Sequence, residues 1–250
     1  MSAIDTVTFD LWQTLIIDNR DLGRARTQRR LEGAMEALTD AGYEFDLERL
    51  REAYRSCYRA CHAIHDEEKD VTFDEQVNMF IDFIDDDLSR RLDSGAVERI
   101  TYWYAESFFD HPPRVDPEAF GCLEELSRQG YKLGMISNTG MTPGRLFRRY
   151  LAQHNLHDFF QVFTFSDEVK LSKPSVEMFH MTLNALETSP DRAVHLGDHI
   201  ANDIYGGNKA GMWTALLRDA EGQERIAEAH LNVQSLGEFP QALRDSPLFK

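Results

Sequence analysis

Cysteine is scarce in this sequence: Cys57, Cys61 and Cys122 are the only three among 250 residues. An odd, sparse set excludes a disulfide framework and fits a reducing compartment, so a cytoplasmic location is expected. Long apolar runs are missing too. No stretch approaches the roughly 18 apolar residues of a membrane span, and the opening MSAIDTVTFD lacks the basic segment and apolar stretch of a secretion signal. Positive charge is also short: 27 Lys and Arg stand against 43 Asp and Glu, a formal net charge of -16. Such a chain repels nucleic acid and anionic membrane at long range, and neither is an expected partner. It repels phosphorylated molecules as well, so a phosphate site needs positive groups of its own.

What is present suits an ordinary soluble protein. Apolar residues make up 42% of the chain, enough for a real core, and the length fits a core domain with a smaller companion. TVTFDL (6–11) is a short β-branched run that predicts a strand ending at Asp10. From about Arg20 to Phe109 the pattern turns helical. Leu31, Met35 and Leu38 recur at three to four residues, as do Leu47, Leu50, Tyr54 and Tyr58, then Val77, Phe80, Ile81 and Ile84, then Val97, Ile100, Tyr104 and Phe108. This predicts a bundle of about four helices without strands.

HPPRVDP (111–117) ends that block, and alternation follows. Helices are predicted over 117–129 (capped by Gly130), 142–154 and 175–186, with another opening over 204–210. Strands are predicted over 132–137, 162–165, 193–197 and 213–217, with a short one near 230–233. Strand–helix alternation implies a doubly wound parallel sheet, a Rossmann-like α/β core, with the helical bundle inserted after the first strand. The expected division is a core of residues 1–17 and 112–250 and a helical unit of 18–111. In such a sheet, ligands gather at the carboxyl ends of the strands. The informative residues are therefore Asp10, then Ser137, Asn138 and Thr139, then Lys173, then Asp198 and Asp203.

Those positions match four motifs in order. FDLWQTL (9–15), ISNTG (136–140), the Lys173-Pro174 pair in SDEVKLSKPSVEMF and LGDHIANDIYGG (196–207) resemble the four motifs of the haloacid dehalogenase-like hydrolases. The likeness runs from about residue 6 to 235, and the helical insertion resembles that family's helical cap. The resemblance implies that Asp10 attacks substrate and forms a covalent aspartyl intermediate. Asp198 and Asp203 would crowd two more carboxylates beside it, and a hard cation such as Mg²⁺ relieves that repulsion. The implied metal ligands are Asp10, Asp198, Asp203 and the backbone carbonyl of Trp12. Ser137, Asn138 and Thr139 would hold phosphate oxygens at the start of a helix. Lys173 would neutralise the substrate anion and orient Asp10.

The sequence departs from the family's phosphatases at one place. Two residues after the nucleophile they carry a second Asp, which protonates the leaving alcohol; here that residue is Trp12, and the usual following Gly is Gln13. Three readings follow: a Mg²⁺-dependent phosphatase of a small phosphorylated metabolite, with the proton supplied by a group such as His62, His65 or Glu67 or not needed; a 2-haloacid dehalogenase-like enzyme, whose halide leaves without a proton; or a weakly active phosphate-binding regulator. The family's dehalogenases lack the Gly-Asp that opens the fourth motif, and its presence here favours the first. A monomer and a homodimer both fit. Cys57, Cys61 and His65 share a helical face that reads as packed interior rather than a soft-metal site. Asp85-Asp86-Asp87 reads as a solvated helix end. His199 lies where it either meets substrate or faces water. Tyr54, Tyr58, Tyr102 and Trp103 read as core or pocket lining.

Overall fold

The computed structural model describes residues 4–218 and 227–249; the first three residues of MSAIDTVTFD lie outside it. Along the described chain run the strands β1 (Thr6–Phe9), β2 (Ile16–Ile17), β3 (Arg114–Val115), β4 (Lys132–Ser137), β5 (Val162–Phe165), β6 (Ala193–Gly197), β7 (Trp213–Leu217) and β8 (Leu231–Val233). The helices are α1 (Arg20–Asp40), α2 (Leu47–His65), α3 (Phe73–Ile84), α4 (Leu88–Arg91), α5 (Ser94–Asp110), α6 (Ala119–Arg128), α7 (Gly144–Gln153), α8 (Ser166–Val169), α9 (Val176–Ala185), α10 (Gly206–Lys209) and α11 (Phe239–Asp245).

Six strands form a parallel sheet in the order β5-β4-β1-β6-β7-β8, the predicted Rossmann-like α/β core. The chain winds outward from β1 through β4 and β5, then returns to fill the other side through β6, β7 and β8. The reversal falls between β1 and β6, where an open parallel sheet leaves a crevice for ligand. β1 is held on both sides, with Phe9 opposite Met135 of β4 and Leu196 of β6. All four of its residues are buried. Phe9 packs edge-on against Phe160 and Phe239, with centroids 6.0 and 6.2 Å away. Burying such a ring is worth about 1.5–3 kcal/mol, which anchors the strand whose next residue is Asp10.

The helices α1–α5 stand between β2 and β3 and contain no strand. The starts of α1, α2, α3 and α5 are capped by side chains: Asn19 accepts from the backbone N–H of Asp21 and Leu22, Asp46 from Arg49, Asp93 from Ala96, and Thr72 forms a capping box with Glu75. Gly130, at φ +85°, takes the left-handed turn that ends α6, as the sequence predicts. Two features differ from the sequence pattern. β2 and β3 pair antiparallel, Ile16 with Val115 and Ile17 with Arg114, at the foot of the helical block. The predicted helix at 204 begins earlier, as a π-helical turn over Ile200–Tyr205 that leads into α10.

Candidate active site

Asp10 is the first residue beyond β1, and its backbone N–H donates to Leu196 O (2.9 Å). Its carboxylate is held at both oxygens. Lys173 Nζ donates to Oδ1 (2.7 Å) and Thr14 Oγ1 to Oδ2 (3.0 Å). The intervening loop is tight. Gln13 takes φ +56°, a left-handed conformation that suits the glycine of the family motif. Arg218 pins this loop by donating to the carbonyls of Gln13 (2.9 Å) and Thr14 (3.2 Å) while paired with Asp116 (2.7 Å).

Lys173 also donates to Asp203 Oδ1 (2.6 Å), so one buried ammonium bridges two buried carboxylates. Its own backbone is clamped: Asn138 Oδ1 accepts from Lys173 N–H (2.8 Å) and Asn138 Nδ2 donates to Lys173 O (3.1 Å). Behind Asp203 stands His195, its Nε2 3.2 Å from Asp203 Oδ1 and its Nδ1 2.9 Å from Thr8 Oγ1. Burial lowers the His195 pKa, and beside the carboxylate its Nε2–H is placed to donate a hydrogen bond to Asp203 Oδ1. The other Asp203 oxygen accepts from the His199 N–H (2.9 Å). Gly197 makes room: a Cβ there would lie 2.3 Å from Asp203 Cγ.

Oxygens of Asp10, Asp198 and Asp203 all lie within 4.8 Å of one another. Burial and its neighbours Asp10 and Asp203 push Asp198 up to about 8. Burial likewise raises Asp10, against the opposing pull of Lys173. Burial acts on Asp203 in the same sense, but Lys173 and His195 outweigh it and hold this carboxyl below the usual range. Burial disfavours the charge on Lys173, yet Asp10 and Asp203 outweigh it and keep the amine protonated. One lysine cannot offset three ionised carboxylates in a nearly dry site, and the raised Asp198 and Asp10 report that crowding. Hard oxygen donors in that arrangement fit a small divalent cation.

The second motif is arranged differently from the sequence reading. Ser137 ends β4 at the same sheet edge as Asp10, but α7 begins only at Gly144, so Ser137 is not at a helix start. The Thr139 N–H donates to Ser166 Oγ (2.9 Å), and Thr139 Oγ1 lies 3.1 Å from the same hydroxyl. Asn138 spends its side chain on the Lys173 backbone, as described above. His199 caps the π-helical turn, its Nδ1 accepting from Asn202 N–H (3.2 Å). Cys57 and Cys61 are buried in the helical block beside Gln76, and among the described residues the only cluster of metal-ligating side chains is the aspartate triad. Asp85 pairs with Arg91 at an exposed helix end.

Above this floor opens a cleft of about 1330 Å³ between the sheet edge and the helical block. Trp12, Asn138 and Thr139 line it from below, and α1 and α2 from above. Trp12 stands edge-on to Phe147 (5.3 Å) and Phe108 (6.4 Å). Tyr54 and Tyr58 reach the cleft; Tyr102 is exposed outside it, and Trp103 packs under the Arg29 guanidinium (3.8 Å). His62 and His65 line the cleft as well. His65 Nε2 lies 3.0 Å from buried Asp70. Burial lowers the His65 pKa, but the Asp70 carboxylate outweighs it and raises the value above normal. The end of α2 is docked beside Lys173, with Ser172 Oγ donating to His65 O (3.3 Å) and Ser172 N–H to Glu68 O (3.2 Å).

The family model for haloacid dehalogenase-like hydrolases matches residues 4–211, most of the chain. The chain belongs to that family. This hydrolase is 27% identical to a glyceraldehyde 3-phosphate phosphatase of Methanopyrus kandleri over 223 residues, covering 88% of this chain and 87% of that one. It is 28% identical to the pyrophosphatase PpaX of Bacillus cereus over 134 residues, covering 52% of this chain and 60% of that one. Among solved structures, it superposes on a HAD phosphatase from Thermococcus onnurineus with TM-score 0.63 and 23% identity, covering 96% and 98% of the two chains. A 2-haloacid dehalogenase from Pseudomonas syringae gives TM-score 0.67 and 19% identity over 96% and 98%. At those identities the two structures establish the shared fold. Three residues of this hydrolase's site, Thr14, His195 and Arg218, carry no role in the sequence reading. The one available signal was the Thr of FDLWQTL; His195 sits inside an apolar strand and reads as core.

Proposed function

We propose that this hydrolase is a Mg²⁺-dependent phosphatase of a small phosphorylated metabolite, with Asp10 as nucleophile. The observation that carries the reading is the buried triad of Asp10, Asp198 and Asp203, with oxygens within 4.8 Å and Lys173 as the one cation paired with it among the described residues. A metal-free dehalogenase has no use for Asp198. The Mg²⁺ ligands are taken as Asp10, Asp198, Asp203 and the Trp12 carbonyl; when bound, the ion would screen the phosphoryl charge from the carboxylates. Asp203 also anchors Lys173, and its oxygens are oriented by His195 and the His199 N–H.

In this reading an Asp10 oxygen attacks phosphorus, the ester P–O bond breaks, and an aspartyl phosphate forms as the alcohol leaves. Lys173 and the Ser137 hydroxyl balance the oxygens of the phosphoryl group. The proton for the alcohol comes from His65, which lines the cleft and whose pKa the Asp70 carboxylate raises. Water then attacks phosphorus and returns a proton to His65, the bond between phosphorus and the Asp10 oxygen breaks, and phosphate leaves a restored Asp10. Three free, buried thiols fit the reducing cytoplasm, and no helix among the described residues is long and apolar enough to cross a membrane.

The dehalogenase reading keeps one supporting observation, the aromatic Trp12 in place of the acid. Phosphate release from p-nitrophenyl phosphate and acetyl phosphate, with Mg²⁺ and with chelator, separates the two. Metal-dependent release that falls by at least about 10³-fold in Asp10→Asn is expected, as for loss of a nucleophile. Metal-independent halide release from 2-chloropropionate, without phosphate release, would reverse the order.

A further inference from the structure

The protein carries a net charge of -16, yet its cleft is lined by seven arginines and one carboxylate. Arg20 and Arg24 lie one turn apart on α1, and Arg51, Arg55 and Arg59 lie one turn apart along α2, so two basic ridges face the same cavity. The chain's own acids do little to neutralise them. Asp18, the single carboxylate of the lining, is taken by Arg26. Glu48 sits between Arg51 and Arg55 at 3.3 and 3.4 Å, exposed and loose, and Asp21 meets Arg24 at 3.4 Å in the same way. Among the described residues, no ion pair includes Arg20 or Arg59.

Arg30 supplies an independent observation. Its guanidinium is buried, only 3% of the residue being exposed, and it also lines the cleft. It donates to three neutral acceptors: Tyr104 O (2.8 Å), Tyr54 Oη (3.2 Å) and Thr142 Oγ1 (2.9 Å). No carboxylate among the described residues pairs with it. Buried charges in proteins are ordinarily paired, because an unpaired one costs several kcal/mol. A guanidinium held rigidly at the wall of a cavity, without its counter-ion, is suited to an anion that arrives with the ligand.

We infer that the substrate carries two separated anionic groups: the phosphoryl group that meets Asp10, and a second phosphate or carboxylate bound by the arginines of α1 and α2. The inference rests on the phosphatase reading of Asp10 and adds the substrate class. The cavity is larger than a phosphate requires and exceeds the roughly 300–1,000 Å³ typical of small-molecule pockets, which leaves room for a carbon body between the two anions. It also resolves the conflict between an acidic protein and an anionic substrate, since the local field in the cleft is positive.

Matched pairs test this: fructose 6-phosphate with fructose 1,6-bisphosphate, and glycerol 3-phosphate with 3-phosphoglycerate. The wild-type protein should give kcat/KM at least about tenfold higher for the second member of at least one pair, an advantage that shrinks as salt rises. The double variant Arg55→Gln/Arg59→Gln should lower the ratio of second to first member about tenfold, and Arg55→Lys/Arg59→Lys should restore most of it. The same pairs are titrated calorimetrically into Asp10→Asn, which reads binding without turnover. Equal kcat/KM and equal affinity within both pairs would overturn the inference. A bis-anion preference in calorimetry without phosphate release by the wild type would leave it standing and overturn the phosphatase reading instead. Turnover of p-nitrophenyl phosphate without preference would do the reverse.

Discussion

At position 12 an indole occupies the place from which the family's phosphatases donate a proton, and the surroundings have closed around it. Trp12 packs edge-on to Phe108 and Phe147, with the Arg26 guanidinium 5.9 Å from its ring centre. Trp12→Asp should therefore cost stability, about 2–3 kcal/mol, below the full value for a buried Trp because the ring is partly exposed. It should also raise kcat on alkyl phosphates at least about tenfold, since general acid help is typically worth ~10²–10⁴-fold. Thermal melts and phosphate release read the two effects separately, and no gain in rate would mean that the cleft lacks more than a proton donor. His65→Asn should lower kcat more steeply for an alkyl phosphate than for p-nitrophenyl phosphate, whose phenolate leaves without help. Equal losses on both would remove His65 from the proton's path. Asp10, Lys173, Asp198 and Asp203 were legible in the sequence because each follows a strand in a fixed order. His195 was not, because its role comes from contacts with Thr8, 187 residues away, and with Asp203 across a loop. The clamp that the Asn138 side chain puts on Lys173 and the bond from Thr139 N–H to Ser166 were hidden for a similar reason: those partners are distant in the chain.

Elements with several turns were readable and very short ones were not. The 3.6-residue period marked the helical block, and the alternating apolar runs marked β1, β4, β5, β6 and β7. The two-residue strands β2 and β3 present too little pattern to be seen, although they brace the foot of the helical block. The packing of α1 on α5 was also hidden. Gly33 of α1 sits against Trp103 of α5, where an added Cβ would lie 2.2 Å from Trp103 Cγ and 2.5 Å from its Cβ. Gly33→Ala gains up to about 1 kcal/mol of helix propensity, but overpacking costs about 1–3 kcal/mol. Overpacking should win, because the clash is with the rigid root of a ring that Arg29 also covers. A lowered melting temperature is expected. An unchanged or raised one would show that α1 and α5 can slide apart without loss.

Across the whole molecule, the charge balance ties the fold to the proposed metal. Asp198 sits near 8 when folded and near 3.9 when unfolded. A carboxyl raised on folding favours the unfolded state as soon as that state can ionise, so the metal-free protein should lose stability as pH climbs from about 4 to about 8. Asp203 works in another window: its lowered pKa contributes stability above the usual carboxylate range that is lost only in acid. A cation that takes ionised Asp198 displaces its proton, so the rise in melting temperature on adding Mg²⁺ should be larger at about pH 8.5 than at about pH 5.5. An increment independent of pH would argue against Asp198 as a ligand. The positive cleft could not be seen in the sequence, because its arginines are spread over two helices of an acidic chain, and only the way α1 and α2 meet brings them together.

Asp10 as the attacking group can be tested by trapping. The wild-type protein is mixed with acetyl phosphate and Mg²⁺, quenched in acid during turnover and reduced with borohydride, which converts an acyl phosphate of aspartate to homoserine. Peptide mass spectrometry should find homoserine in place of Asp10 and nowhere else. Phosphate released at full rate with Asp10 unmodified would contradict the covalent step.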